Sequence, residues 1–202
     1  EPSLTDVVCE KLSALESSNQ ADFSQVQALN RLDRETTGIV LFSLDKETQP
    51  LFDELIRSRN VHKTYLAVVK GEFPEGEQDI TLPIGRDRHD ARRMRVSKTG
   101  KPALTHVCCL EVQRRGQSTR SLMLAELGTG RKHQIRVHFS ALGFPIVGDS
   151  LYGPIVGDSM YGRTSPTAPS TRTAAFTQVP LMLHAYELSF VHPVTGESLV
   201  LK

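Results

Sequence analysis

The chain has 202 residues, 39% of them apolar, which is enough to bury one substantial core in a single domain. Its 24 Lys and Arg against 23 Asp and Glu give a formal net charge of +1, so overall charge does not by itself indicate a nucleic-acid partner. Three cysteines without a CxxC pair argue against a disulfide framework and favour a reducing compartment, and the apolar runs are too short to span a bilayer. We expect a soluble, monomeric, intracellular protein, in the cytoplasm or alternatively in a mitochondrion or other organelle.

The first third of the chain predicts two helices on either side of a pair of strands. Thr5, followed by apolar residues at helical spacing, predicts a capped amphipathic helix that ends near residue 17. Residues 26–29 and 38–42 predict strands on either side of a polar turn. Asp45 then predicts the cap of a second helix, with an apolar face directed to the core.

The rest of the chain predicts strands that mostly follow one another directly. They are expected at 65–69, 80–84, 103–112, 121–127, 183–191 and 198–202. Between them, residues 130–143 predict a helix with Ile135 and Phe139 on one face, and with Lys132 and Arg136 on another. This order predicts an α+β fold with a mixed, mostly antiparallel sheet flanked by helices and loops, and not a doubly wound fold.

A tandem repeat and a polar segment follow the third predicted helix. The nonapeptide at 145–153, Pro-Ile-Val-Gly-Asp-Ser-Leu-Tyr-Gly, recurs at 154–162 with Met in place of Leu. Two short copies do not form a solenoid, so we interpret one of them as an insertion that lengthens a loop. Residues 163–178 are rich in Ser, Thr and Pro and predict a flexible loop within one domain that spans 1–202.

Asp33 is the first residue that could carry chemistry. It lies between two arginines, in Arg31-Leu32-Asp33-Arg34, in the turn between two apolar strands. Guanidinium neighbours favour the ionised form of a carboxyl group, and a carboxylate can act as a nucleophile or stabilise a cationic, sugar-like transition state. The alternative is a structural salt bridge that braces the turn.

Three other features have both a functional and a structural interpretation. The cations of Gly130-Arg131-Lys132-His133 oppose the helix dipole unless a phosphate or a carboxylate lies opposite them, but they could equally form a solvated basic end. Tyr65 could stack on a nucleobase, or could pack in the core. Between residues 86 and 101, seven basic residues against two acidic ones suit contacts with RNA phosphates, but they also suit a solvated hairpin.

Four blocks of the sequence together resemble the RluA family of RNA pseudouridine synthases. The first, Asn-Arg-Leu-Asp-Arg-Glu-Thr-Thr-Gly at 30–38, is similar to the signature His-Arg-Leu-Asp-Arg-x-Thr-Ser-Gly. The second, at 63–71, is similar to Lys-x-Tyr-x-Ala-x-x-x-Gly. The third begins with Gly-Arg-Lys-His-Gln-Ile-Arg-Val-His at 130–138 and includes Gly148-Asp149, and the fourth runs from Leu183 to Glu197.

The resemblance implies the family's mixed β-sheet catalytic fold and its reaction on uridine. The bond between the ribose and the uracil nitrogen is broken, the base turns, and the base is rejoined through carbon 5. The implied partner is RNA, either ribosomal RNA or tRNA, from which the target base must be flipped. Neither a cofactor nor a metal is implied.

The resemblance also implies roles for residues of this chain. Asp33 would be the nucleophile, and Arg136 would pair with it. Tyr65 would stack on the target uracil, and Leu183 would pack on the other side of the base. The residues that would contact the rest of the RNA are Arg31, as the wedge, and Arg34, Arg131 and Lys132, at phosphates.

The chain departs from the family's pattern at several points. Asn30 replaces the usual His and Thr37 replaces the usual Ser, but both keep a hydrogen-bonding group, so we expect activity to survive. The nonapeptide occurs once in the family's pattern. The family's opening strands have no match, so we expect them to precede Glu1.

Two other functions remain open at this point. The first is a catalytically silent RNA-binding relative that acts in RNA or ribosome assembly, although the presence of Asp33, Tyr65 and Arg136 favours activity. The second is a hydrolase that uses Asp33 as a nucleophile or metal ligand. No metal is expected, because His133 and His138 are five residues apart and are not on one helical face.

Overall fold

The structure is a computed structural model that describes residues 2–15, 23–116, 118–153 and 179–202. The helices are α1 (Leu4–Leu15), α2 (Gln49–Arg57) and α3 (Gln134–Ala141), and a 3₁₀ turn is formed by Phe23–Gln25. The strands are β1 (Gln27–Ala28), β2 (Thr37–Gly38), β3 (Phe42–Ser43), β4 (Val61–Lys70), β5 (Glu77–Ile80), β6 (Ile84–Arg86), β7 (Met94–Val96), β8 (Thr105–Arg115), β9 (Ser118–Leu127), β10 (Leu183–Val191) and β11 (Ser198–Leu201).

The chain divides into two compact units. The terminal unit contains Glu1–Thr64 and Ala185–Lys202, and the central unit contains Tyr65–His184. The predicted α+β class is confirmed, with consecutive strands that pair antiparallel at β8/β9 and β10/β11, and with β5 antiparallel to β8. The loop predicted at 163–178 lies outside the described residues. No helix among the described residues has the length and apolar character that a membrane crossing needs.

The central unit is built on the strands β4, β9, β8 and β5, in that order across the sheet. β8 and β9 form a long hairpin whose register runs from Thr105 opposite Leu127 to Arg115 opposite Ser118. Residues alternate along β4, with Tyr65, Ala67 and Val69 all buried, because successive side chains of a strand point to opposite faces. The face shared by Tyr65 and Ala67 is therefore confirmed.

Helix α3 supplies part of the central core, but it is shorter and more deeply buried than its sequence pattern predicts. Six consecutive residues, from Gln134 to Phe139, are buried. The helix begins at Gln134 because His133 adopts φ 58°, a left-handed conformation that interrupts the helix. Lys132 precedes the helix, so the prediction that it shares a helix face with Arg136 is wrong, and Arg136 is itself only 2% exposed.

The terminal unit has its own core. Leu29, Phe52 and Phe190 are buried against each other, and the rings of Phe52 and Phe190 meet edge to face with centroids 6.3 Å apart. Leu55 and Ile56 of α2 pack against this cluster, which confirms the predicted apolar face of that helix.

Both predicted helix caps are wrong by two or three residues. Helix α1 begins after Ser3, whose backbone N–H and hydroxyl both donate to the Asp6 carboxylate while its Oγ accepts from the Asp6 N–H. The N-cap position of helix α2 is Thr48, whose side chain makes no capping bond and whose hydroxyl instead donates to the backbone carbonyl of Asp45. The Asp45 carboxylate instead accepts from the Glu47 N–H, in a turn that precedes the helix.

Two predicted strands are each divided into two parts. The strand predicted at 38–42 is interrupted between β2 and β3, because the Ile39 carbonyl and the Leu41 N–H bond to a side chain and not to a neighbouring strand. The strand predicted at 80–84 is interrupted at 81–83, where the chain leaves β5 and enters the β6–β7 hairpin.

We expect Gly38→Ala to disrupt the terminal unit. Gly38 has φ +117°, and a Cβ there would lie 2.2 Å from the Ala185 carbonyl oxygen. Because that oxygen belongs to the backbone, the clash cannot be relieved by a rotamer change. We expect the free energy of unfolding to fall by about 3 kcal/mol, measured by urea denaturation.

The matched control is Gly196→Ala, because Gly196 also has a positive φ, +74°, but open space around its Cβ position. Only the backbone conformational cost applies there, about 1 kcal/mol. Equal losses for the two variants would contradict the steric explanation.

Candidate active site

Asp33 lies in the turn between β1 and β2 of the terminal unit. Its backbone carbonyl accepts a hydrogen bond from the Thr36 N–H at 2.9 Å, which closes the turn. The Asp33 side chain is half-buried, whereas its neighbours Arg31 and Arg34 are exposed. The turn thus presents a partly shielded carboxylate between two solvent-facing cations.

Asn30 holds the two ends of the loop that carries Asp33. Its Oδ1 accepts from the Leu41 N–H at 2.6 Å, and its Nδ2 donates to the Ile39 carbonyl at 3.2 Å. The Leu29 N–H also donates to the Leu41 carbonyl at 2.8 Å. These bonds join the two sides of the loop at its base. The Asn30 amide supplies one donor and one acceptor to them.

Tyr65 and Leu183 are placed in the central unit by β4 and by the start of β10. Tyr65 is 9% exposed and Leu183 is 4% exposed. Both side chains therefore combine large apolar area with little contact with water. On the neighbouring part of β4, burial lowers the pKa of Lys63 because desolvation penalises the ammonium form.

Arg136 is held in the central unit by a buried ion pair with Asp149. Its Nε and Nη2 donate to the two carboxylate oxygens of Asp149, each at 2.8 Å, and the side chains are 3% and 0% exposed. Asp149 Oδ1 also accepts from the N–H groups of Leu151 and Tyr152, each at 2.9 Å. Burial opposes ionisation of Asp149, but these hydrogen bonds outweigh it and its pKa is lowered.

Tyr152 connects this ion pair to the β6–β7 hairpin. The guanidinium carbons of Arg93 and Arg136 lie 5.4 Å and 5.3 Å from the centre of its ring. Its hydroxyl oxygen accepts from the Met94 N–H at 2.7 Å and lies 2.7 Å from His133 Nδ1. Burial raises the pKa of Tyr152, so the phenol stays protonated.

The turn before α3 is fixed by a chain of hydrogen bonds. Gln134 Oε1 accepts from the Arg131 N–H at 3.0 Å, and its Nε2 donates to Thr105 Oγ1 at 2.9 Å. Thr105 Oγ1 in turn lies 2.9 Å from His138 Nδ1, and burial lowers the pKa of that imidazole, which keeps it neutral. Arg131 is half-buried, with Nε bonded to the Pro102 carbonyl, and Lys132 is exposed.

The structure therefore places the sequence-predicted residues in two groups. Asp33, Arg31 and Arg34 belong to the terminal unit. Those in the central unit are Tyr65, Arg131, Lys132, Arg136 and Leu183. The pairing of Arg136 with Asp33 stays a prediction. Within residues 2–15, 23–116, 118–153 and 179–202, no group of three or more His, Cys, Asp or Glu side chains is arranged to hold a metal.

The sequence interpretation missed the roles of Asp149, Tyr152 and Arg93. Asp149 and Tyr152 both lie in the nonapeptide at 145–153. Nothing in the nonapeptide itself indicates which cation would pair with Asp149. The signal that could have found them is the presence of the same Asp and Tyr in both copies of the repeat. Arg93 was hidden among the seven cations of the hairpin.

Comparisons with known proteins agree on one family. The sequence profile described as RNA pseudouridylate synthase matches residues 5–141. The chain is 38% identical over 173 residues to ribosomal large subunit pseudouridine synthase D of Nitrosomonas europaea. This match covers 85% of this chain and 46% of that protein. It is 35% identical over 176 residues to the uncharacterized RNA pseudouridine synthase YhcT of Bacillus subtilis, covering 87% of this chain and 51% of that protein.

A solved structure has the same fold. The human RNA pseudouridylate synthase domain containing 1 superposes with a TM-score of 0.71 at 30% identity, and the match covers 89% of this chain and 69% of that one. The chain spans about half the length of the curated relatives it matches.

We expect Asn30→Ala to loosen the loop that carries Asp33. The variant leaves the Leu41 N–H and the Ile39 carbonyl without their side-chain partner, and we expect the free energy of unfolding to fall by about 2 kcal/mol. Hydrogen exchange at Leu41 should accelerate. The control is Asn60→Ala, because Asn60 is exposed and its Nδ2 donates to Ser58 Oγ. Unchanged exchange at Leu41 would contradict the role given to Asn30.

Asp149→Asn should destabilise the central unit by about 3 kcal/mol or more, because it removes the carboxylate charge that binds the buried Arg136 guanidinium at two points. The control is Asp90→Asn, which breaks an Arg–Asp pair of the same two-point geometry whose arginine is 77% exposed. Solvent screens that pair, so Asp90→Asn should lower the free energy of unfolding by much less than Asp149→Asn does. Urea denaturation measures both, and equal losses would refute the importance of burial.

Proposed function

Because the chain belongs to the RNA pseudouridylate synthase family, we propose that it converts specific uridines of ribosomal RNA or tRNA to pseudouridine. The observation that carries this proposal is the half-buried Asp33 carboxylate, which stands in the family's signature turn and is held there through Asn30. A carboxylate shielded from water on one side is suited to attack on, or stabilisation of, a ribose carbon.

The proposed reaction is an isomerisation, so substrate and product have the same composition. The Asp33 carboxylate bonds to the ribose carbon as the bond from that carbon to the uracil nitrogen breaks, and the uracil leaves with the bonding electron pair. The detached base turns, and its carbon 5 bonds to the ribose carbon and displaces the carboxylate. Carbon 5 then loses its proton to solvent, and the uracil nitrogen that left the ribose takes up one proton. Tyr65 stacks on the base and Leu183 packs on its other side, and the low exposure of both supports a water-poor site.

The target uridine must leave its stack before a half-buried carboxylate can reach it. Arg31 is proposed as the wedge that takes its place. Phosphates are proposed to bind to Arg34, Arg131 and Lys132, and the exposure of Arg34 and Lys132 supports that role. Arg136 is proposed to pair with Asp33 and to favour its ionised form.

The proposed reaction uses no cofactor and no metal. The proposed active form is a monomer. The proposed location is inside the cell, in the cytoplasm or alternatively in a mitochondrion or other organelle. A catalytically silent RNA-binding protein is the second candidate, and Asp33, Tyr65 and Arg136 are the residues that favour an enzyme.

We expect Asp33→Asn to abolish isomerisation while RNA binding persists, because the amide keeps the shape of the carboxylate but is neither a nucleophile nor an anion. The measurement is release of tritium from carbon 5 of uridine in unmodified transcripts of ribosomal RNA and tRNA. The rate should fall by roughly 10³-fold or more. Chelator is present throughout, which separates this reaction from that of a metal-dependent hydrolase.

The matched control is Asp53→Asn, an exposed aspartate on α2, which should keep full activity. Salt-sensitive RNA binding without tritium release from the unchanged protein would support the silent candidate. Tritium release that persists in Asp33→Asn would refute the proposed nucleophile.

A further inference from the structure

A polar cleft of about 380 Å³ opens in the central unit. It is lined by Lys70 at the end of β4, by Arg92 and Arg93 of the β6–β7 hairpin, and by the turn that begins at Asp149. Its volume is within the range of small-molecule sites, roughly 300–1,000 Å³. Three cations from two separate elements of the fold thus face one concave space.

The two carboxylates that line the cleft are already neutralised. Asp149 is bound by Arg136, and none of its side chain is exposed. Asp90 accepts two hydrogen bonds from Arg92, at 3.0 and 2.8 Å. Among the described residues, no carboxylate forms a salt bridge with Lys70 or Arg93. The lining therefore has three cations against two carboxylates, an excess of one positive charge.

Arg93 is held in place before any ligand arrives. Its guanidinium packs on the ring of Tyr152, whose hydroxyl is fixed by the Met94 N–H and His133. In the described part of the chain, the Nε of Arg93 is buried and has no hydrogen-bond acceptor. A half-buried guanidinium with one unsatisfied donor is stabilised by a nearby anion, and a guanidinium fixed in advance loses little side-chain entropy when it binds one.

We infer that the cleft between Lys70, Arg92 and Arg93 is a phosphate-binding site that holds one backbone phosphodiester of the RNA substrate. A planar guanidinium and a point-charge ammonium together match the geometry of a phosphate oxyanion. The inference rests on the proposed function for the source of the phosphate. The site positions the RNA without reading its sequence, because phosphate contacts carry no base information.

The test is equilibrium binding of a fluorescent, unmodified ribosomal RNA transcript to protein that carries Asp33→Asn, so that binding is measured without turnover. Lys70→Ala should weaken binding about fivefold at 0.1 M salt and reduce the slope of log affinity against log salt by about 1, as expected for one lost phosphate contact. Lys46→Ala, at an exposed lysine of the terminal unit, should change neither quantity.

Two further variants separate a defined site from a diffuse positive field. Arg93→Lys keeps the charge but loses the planar group, so it should weaken binding with an unchanged salt slope. Lys98→Ala removes an exposed hairpin cation that does not line the cleft, so it should cost less than Lys70→Ala. Equal effects of Lys70→Ala and Lys98→Ala, or no effect of Lys70→Ala in a protein with unchanged thermal melting, would overturn the inference.

Inorganic phosphate tests the source of the anion. At 10 mM or less it should compete with the transcript for the unchanged cleft and not for Lys70→Ala. If Lys70→Ala weakens the binding of inorganic phosphate but leaves the RNA affinity unchanged, the RNA assignment is overturned and the cleft is a site for free phosphate. Binding through the cleft by a protein that releases no tritium would instead reject the enzyme proposal and leave this inference standing.

Discussion

The buried ion pair between Arg136 and Asp149 is the contact around which the central unit is organised. A carboxylate with no exposed surface must be fully hydrogen-bonded, and Asp149 is, by one guanidinium and two backbone N–H groups. The same turn then has to place Tyr152 over Arg136, and Tyr152 in turn fixes the hairpin at Met94. Buried ion pairs are weak contributors to net stability but strict in geometry, so the pair acts chiefly to orient Arg136.

In the terminal unit, polar groups that need hydrogen-bond partners are paired by a neutral side chain. The loop that carries Asp33 cannot pair as a continuous strand, and the amide of Asn30 satisfies the two backbone groups that this leaves unpaired. At these two places the units meet the same requirement, hydrogen-bonded polar groups, with different chemistry.

Much of the fold and part of the candidate site follow from the sequence, and the failures have common physical causes. The apolar face of α2 and the closing strand pair are encoded by local periodicity, and the structure has both. The caps at Ser3 and Thr48 were missed because several polar residues compete for each helix start, and only the three-dimensional geometry decides between them. Helical periodicity groups Arg136 with Lys132 on one face. It cannot reveal that Arg136 pairs with Asp149, which lies 13 residues away in the sequence.

The division of the chain has a consequence for how the protein is made. The Asp33 turn leads into Gly38 and Ile39, whose backbone packs on and bonds to Ala185, yet about 145 residues separate these segments in the sequence. The central unit also needs Met182, which bonds to Val68 and Val147, so both units require chain segments that leave the ribosome late in synthesis. The loop that carries Asp33 is made early in synthesis but can therefore be completed only when Ala185 is available to it.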